Sequence, residues 1–279
     1  MSRTTGQVFY KMTGSGNDFV MLDGRLTNLE EWPAERIAAA CDRRLGIGAD
    51  GLVLLTPEPE GGDGIRMEYF NSDGSYAAMC GNAALCSTRL AAFLEMAPSE
   101  GMTLVTGAGL VRTRCAGGDH LAELQLPPFQ VPVPVPIECR EGESGFWCST
   151  VGVPHLIVLT DDAMAVDVEG RGRELRFHPA LGSAGANVNF VSPSRSSSDG
   201  APWLIRTYER GVEAETLACG TGTLAAAFAL HRAGIRSLPG EWETCRGIRL
   251  AVAGTLEGDQ AVENWLCGEG RLVFTGILR

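Results

Sequence analysis

Apolar residues in this chain come mostly in short runs closed by turn residues, the pattern of buried or half-buried strands. Gly51-Leu52-Val53-Leu54-Leu55 and His155-Leu156-Ile157-Val158-Leu159 are of this kind. Two longer stretches, Ala83 to Leu94 and Thr223 to Leu230, read instead as helices. The second is apolar all round, which predicts burial on every side. Each helix follows a Cys-Gly pair, Cys80-Gly81 or Cys219-Gly220. A mostly antiparallel, barrel-like sheet around one central helix, built twice, accommodates these elements and predicts an α+β fold.

The doubling is visible as self-similarity. Gly16-Asn17-Asp18-Phe19-Val20-Met21 can be set beside Gly152-Val153-Pro154-His155-Leu156-Ile157. Gly48-Ala49-Asp50-Gly51-Leu52-Val53 matches Gly185-Ala186-Asn187-Val188-Asn189-Phe190, Phe70-Asn71-Ser72 matches Tyr208-Glu209-Arg210, and Cys80-Gly81-Asn82 matches Cys219-Gly220-Thr221. The separation drifts from 136 to 139 residues in order along the chain. That regularity predicts an internal duplication and two pseudo-symmetric domains. Pro127 to Pro136 reads as an extended, semi-rigid connector. It places the first unit at residues 1–126 and the second at 127–265. Residues 266–279 are left over, with Arg271-Leu272-Val273-Phe274 as a strand returning to the first unit. The Ser-rich stretch from Ser192 to Pro202 reads as a surface hairpin tip.

Composition narrows the function classes. The 279 residues suffice for two domains. No apolar run is long enough to span a bilayer, and the first residues lack a signal-peptide core, so a cytoplasmic protein is expected. The net charge of −11 argues against nucleic acid and anionic membranes as partners. Nine cysteines without a CxxC pair and four scattered histidines predict neither a disulfide framework nor a metal site. Lys11 is the single lysine and a poor candidate for a pyridoxal-phosphate Schiff base, and no nucleotide-binding glycine motif occurs. The expected partner is a small molecule, with no cofactor.

The paired cysteines suggest the chemistry. The first N–H groups of a helix lack internal partners and carry the positive end of its dipole. A cysteine there is expected to have its pKa lowered from about 8.5 toward neutrality, and a carboxylate can be held by the same N–H groups. A pseudo-twofold axis would bring both helix starts to the domain interface, with a thiol on each face of a bound α-carbon. One thiolate would remove the α-proton and the opposite thiol would return one to the other face, inverting the centre.

Longer motifs carry a family resemblance. Lys11-Met12-Thr13-Gly14-Ser15-Gly16-Asn17-Asp18-Phe19-Val20 resembles the opening of diaminopimelate epimerases. So do Phe70-Asn71-Ser72-Asp73-Gly74-Ser75, Cys80-Gly81-Asn82, and Tyr208-Glu209-Arg210-Gly211 running to Glu215-Thr216-Leu217-Ala218-Cys219-Gly220-Thr221-Gly222. The resemblance covers nearly the whole chain. It implies two domains with the active site in the cleft between them, and interconversion of LL- and meso-diaminopimelate in lysine and cell-wall biosynthesis. It also implies a bacterial cytoplasmic protein, often a homodimer. It makes Cys80 and Cys219 the acid–base pair, with His155 and Glu209 close to the chemistry. Asn17, Asn71, Asn187, Glu209 and Arg210 would line the substrate site, and Gly81, Asn82, Gly220 and Thr221 would supply backbone donors.

The chain departs from the family pattern in places. After Cys80-Gly81-Asn82 come Ala83-Ala84-Leu85 where a glycine, a small residue and an arginine are usual. Gly152-Val153-Pro154-His155 replaces Gly-Asn-Pro-His, and Leu181-Gly182 stands where Phe-Pro is usual. The missing asparagine at 153 would bind the distal, non-reacting end of the substrate. A related cofactor-free racemase for another amino acid is therefore one alternative, and a ligand-binding relative without turnover is another. An isomerase of the phenazine-biosynthesis type is disfavoured, because that branch lacks the cysteine pair.

Overall fold

The computed structural model describes residues 6–58, 63–195 and 200–278. The chain divides into two compact units, Met1–Gln125 with Cys267–Arg279, and Leu126–Leu266.

In the first unit, β1 (Gln7–Gly14) and β2 (Asn17–Asp23) form a hairpin. Helix α1 (Ala34–Cys41) crosses to β3 (Gly51–Pro57), which lies parallel to β2. Strand β4 (Gly64–Asn71) returns antiparallel to β3, followed by the short β5 (Tyr76–Ala77). Helix α2 (Gly81–Phe93) then leads to β6 (Met102–Thr106), parallel to β4. Strands β7 (Gly109–Cys115) and β8 (Leu121–Leu126) continue antiparallel.

The second unit opens with β9 (Phe129–Gln130) and β10 (Val133–Pro134), then repeats that order. Strands β11 (Glu143–Val151) and β12 (Val153–Thr160) form the hairpin, and α3 (Val168–Arg176) crosses to the parallel β13 (Asn187–Ser192). Strands β14 (Trp203–Glu209) and β15 (Ala214–Thr216) precede α4 (Gly220–Arg232). Then come β16 (Gly240–Thr244), parallel to β14, with β17 (Arg249–Glu257) and β18 (Gln260–Glu269). The last strand, β19 (Arg271–Leu278), pairs antiparallel with β1.

The mostly antiparallel α+β fold expected from sequence is present, with two corrections. Each unit also contains two parallel pairs. A parallel pair needs a crossover, and a helix fills each one. Helices α1 and α3 are additional to the two expected from sequence, and each is little more than two turns long. Their starts are partly legible: the Asp167 carboxylate accepts from the Gly170 N–H as an N-cap. The proline-rich segment, expected as a connector, is packed structure. Phe129 and Val131 are buried, β9 pairs with β18, and β10 pairs with β11. Prolines at 132, 134 and 136 suit edge positions that need few donors. The Ser-rich stretch joins the antiparallel β13 and β14; its residues 196–199 lie outside the described set.

The central helices anchor the two cores. Every residue of α4 from Gly222 to Leu230 is buried. Phe228 meets Phe129 edge to face at 5.3 Å, within a cluster that includes Ile157, Val191, Trp242 and Val252. Cutting a side chain such as Phe228 to alanine costs about 3–5 kcal/mol. In α2, Ala83 to Thr88 is likewise buried, and Gly14 lets β1 approach it: a Cβ there would stand 2.5 Å from the Asn82 carbonyl oxygen. Both helices stop on a left-handed residue, Glu95 (φ 55°) and Gly234 (φ 71°), with the next amide bonding back to Ala91 or Leu230.

Candidate active site

Cys80 and Cys219 occupy the same structural position in their units. Each is the extended residue immediately before the buried helix, with φ/ψ of −143°/120° and −132°/101°. The amides of Asn82 and Ala83 face the Cys80 sulfur, and those of Thr221 and Gly222 face Cys219. These are the second and third helical residues, the donors an N-cap side chain normally satisfies. Neither thiol is depressed as expected from sequence. Burial pushes Cys80 above its ordinary value despite the two amides and the Tyr69 hydroxyl. Burial, reinforced by the Glu209 carboxylate, pushes Cys219 up to about 11. Desolvation of the thiolate outweighs the helix start in both places.

In the first unit, Asn17 Nδ2 donates to Asp50 Oδ2 at 2.9 Å, and Asn82 Nδ2 donates to Asn17 Oδ1 at 2.8 Å. The carboxylate behind them is fixed in turn. Arg43 bridges Asp50 and Asp18 at 2.7 Å each, and Lys11 reaches Asp18 at 2.6 Å and the Gly48 carbonyl. Burial opposes ionisation of Asp18, but Arg43 and Lys11 hold its carboxyl at about 2. A charged network thus sets two amides on the side of α2 where Cys80 sits. Tyr69 from β4 is buried, and its hydroxyl faces the Cys80 sulfur. Asn71 ends β4 in a tight turn, with Nδ2 on the Ser75 hydroxyl at 3.0 Å and Gly74 supplying φ 84°. A Cβ at Gly81 would meet nothing within 4 Å, so the helix start there is open.

In the second unit, His155 on β12 is fully buried. Its Nε2 lies 3.0 Å from the Thr221 hydroxyl, which is 3.7 Å from the Cys219 sulfur. Burial lowers His155 to about 4, so the ring is neutral at physiological pH. Asn187 Oδ1 accepts from the Arg210 amide at 2.8 Å and so shapes the turn after β14. The Glu209 and Arg210 side chains are half-buried and make no side-chain hydrogen bond or ion pair with the described residues. Gly220 packs against Leu266, while Val153 sits half-buried at the hairpin tip beside Gly152 (φ 70°).

Within each unit, then, the residues singled out from sequence cluster at the start of the buried helix: Asn17 and Asn82 around Cys80, and His155, Glu209, Gly220 and Thr221 around Cys219. Asn71 ends β4, Asn187 begins β13 and Arg210 lies in the turn after β14. Sequence reasoning missed Asp50, Arg43, Tyr69 and Asn189. Asp50 stood inside a repeated segment and could have been flagged as the charged partner of Asn17. Asn189 stood in the facing half of that repeat, and nothing local marks Arg43 or Tyr69. Among the described residues, no three His, Cys, Asp or Glu side chains are grouped to hold a metal, and no helix is long and apolar enough to cross a membrane.

The family model for diaminopimelate epimerase matches residues 9–124 and 147–250, which take in both cysteine-headed helices. The chain belongs to the diaminopimelate epimerase family. It is an enzyme of the isomerase class. Among its relatives, the diaminopimelate epimerase of Gemmatimonas aurantiaca is 45% identical, covering 96% of this chain and 98% of the relative. That of Aquifex aeolicus is 38% identical over 81% and 82% of the two chains. Solved structures share the fold at much lower identity. A hydroxyproline epimerase from Agrobacterium vitis, with bound trans-4-hydroxy-L-proline, superposes with a TM-score of 0.58 at 18% identity, covering 100% of this chain and 94% of that one. A Bacillus anthracis phenazine biosynthesis protein of the PhzF family gives 0.68 at 12% identity, over 98% and 97%.

Proposed function

We propose that this chain inverts the α-carbon of LL-diaminopimelate to give the meso isomer, using Cys80 and Cys219 as a cofactor-independent acid–base pair. The observation that carries the reading is the repeated placement of a cysteine at the N-cap of a buried helix, beside helix-start amides that have no internal partner. One cysteine, as thiolate, takes the α-proton. The other, as thiol, delivers a proton to the opposite face of the carbanion, and the two exchange protonation states. The α-carboxylate would accept from the amides at Gly81-Asn82 and Gly220-Thr221, which also stabilise the charge that develops on it. A bound α-ammonium group brings positive charge beside the thiols and favours the thiolate, offsetting the burial that raises both. Asn71, Asn187, Glu209 and Arg210 would meet the distal end, with Arg210 suited to grip a carboxylate through two bonds, and Asn17 would line the substrate site. The repeated element order supports an internal duplication as the origin of the two units.

The test is α-proton exchange into deuterated water together with epimerisation of LL-diaminopimelate. Cys80→Ala and Cys219→Ala should each lose epimerisation by about 10²- to 10⁴-fold while folding normally. Near-full epimerisation by either variant defeats the two-thiol reading.

Val153 favours one second reading, a racemase for a different amino acid. An amide at that position would offer the distal end both a donor and an acceptor. Its loss costs about 1.5–3 kcal/mol if the partner is charged, roughly a tenfold to hundredfold in affinity. Diaminopimelate turnover should survive this, and Val153→Asn should lower KM. A kcat/KM for lysine, glutamate or histidine about tenfold above that for diaminopimelate would move the assignment to the second reading.

A further inference from the structure

Asn189 lies within β13 and is fully buried. Its carboxamide has one sensible orientation. Nδ2 donates to the Leu156 carbonyl at 3.1 Å and reaches the Asn187 carbonyl at 3.4 Å, while Oδ1 accepts from the Thr207 hydroxyl at 2.9 Å. A flipped amide would set Oδ1 against two carbonyl oxygens. The same Nδ2 stands 3.3 Å from His155 Nδ1. A proton on Nδ1 would point at an amide nitrogen that has no lone pair to accept it, whereas a bare Nδ1 can share the second amide hydrogen with the longer Asn187 contact, so Nδ1 is the acceptor and the ring proton sits on Nε2.

That choice propagates. Nε2–H points at Thr221 Oγ1, 3.0 Å away, and Oγ1 is 3.7 Å from the Cys219 sulfur. A hydroxyl has one hydrogen to donate. If Thr221 accepts from Nε2–H, its own hydrogen is free for the sulfur. In the opposite tautomer Thr221 gives that hydrogen to Nε2, and the sulfur meets only a lone pair. The Val151 carbonyl also faces the ring and competes for its proton, so the outcome depends on Asn189.

We propose that Asn189 is a positioning residue that holds His155 as the Nε2–H tautomer and thereby turns the Thr221 hydroxyl hydrogen toward Cys219. The proposal rests on the reading of Cys219 as an acid–base group. A sulfur that must be a thiolate in half of each catalytic cycle gains from a fixed donor, and the burial around Cys219 makes that donor matter more. The other groups bearing on the relay are Glu209 from β14 and the Thr221 and Gly222 amides, which act on Cys219, and Arg210, which acts on His155.

The readout is the pH dependence of Cys219 alkylation by iodoacetamide, resolved to this site by peptide mass spectrometry in the full chain. Thr221→Val and Asn189→Leu should each move the midpoint up by about one pH unit, the scale of one hydrogen bond to a charged group. Thr221→Ser should restore it. Both disruptive variants should lower kcat with little change in KM. Imidazole ¹⁵N NMR of the wild-type chain should show the His155 proton on Nε2. Should Asn189→Leu fail to fold, the ring tautomer and the Thr221 pair decide. A proton on Nδ1, or an unmoved midpoint in Thr221→Val, overturns the relay. Those results with an inactive Cys219→Ala leave the two-thiol reading intact, whereas an active Cys219→Ala removes that reading whatever the midpoints do.

Discussion

Acidification should unfold this protein earlier than its carboxylates alone require, and His155 is the reason. Burial lowers its pKa from 6.5 to about 4, with the Val151 carbonyl pulling weakly upward and Arg210 pushing down. Between those two values the unfolded chain binds a proton that the folded chain refuses. Stability therefore rises with pH through this window and is lost as pH falls. The full shift corresponds to roughly 3 kcal/mol, and roughly 2 kcal/mol of it falls between pH 7 and 5. Carboxylates contribute at lower pH. Asp18, held at about 2 by Arg43 and Lys11 against burial, loses its contribution only as pH drops below the ordinary aspartate value toward 2. The experiment is a series of urea unfolding curves at pH 7, 6 and 5 for wild type and His155→Gln. The glutamine lowers the absolute stability by an unrelated amount, because it repacks beside Thr221 and Asn189, so the slope is what counts. Wild type should lose roughly 2 kcal/mol across the series, and the variant markedly less. Parallel losses in both would refute a neutral, buried His155.

Two further outcomes follow from the site. Gly222→Ala should destabilise the chain by about 1–3 kcal/mol in thermal or urea unfolding and lower epimerisation, because a Cβ there would stand 2.1 Å from Asn189 Oδ1; unchanged stability would show that Asn189 is not held against the helix. Asp50→Asn should raise KM for diaminopimelate several-fold with a smaller effect on kcat, because it removes the charge that fixes Arg43 and the amide of Asn17; an unchanged KM would detach this network from substrate binding.

The comparison of the two cysteine sites shows why local pattern reaches only so far. Both were marked by a Cys-Gly pair before an apolar helix, and both helices formed there. What surrounds each sulfur differs. Cys80 faces the hydroxyl of Tyr69 on β4, whereas Cys219 has that of Thr221 at 3.7 Å, two residues along its own helix and tied to His155, which Asn189 contacts in turn. The third residue after each cysteine tells the same story: Ala83 is accommodated in the first unit, while Gly222 is needed where Asn189 presses in. A change from glycine to alanine that looks like a departure from a motif is therefore a difference in what packs opposite.

The pattern of residues along the chain made legible the α+β fold, the two buried helices, the cysteine at the head of each and the family, because these depend on periodicity and on short contiguous motifs. It did not determine the mixed sheets, since a parallel pairing depends on crossovers between distant segments and α1 and α3 are short. It did not determine that Phe129–Gln130 and Val133–Pro134 pair as short strands, because the apolar Phe129 and Val131 show their use only against β18 and the core. It pointed the wrong way on the thiols, predicting depressed values from the helix starts. Only the tertiary structure decided that, since desolvation at Cys80 and Cys219 is the work of every element packed around them, and a thiolate loses more by leaving water than two amides return.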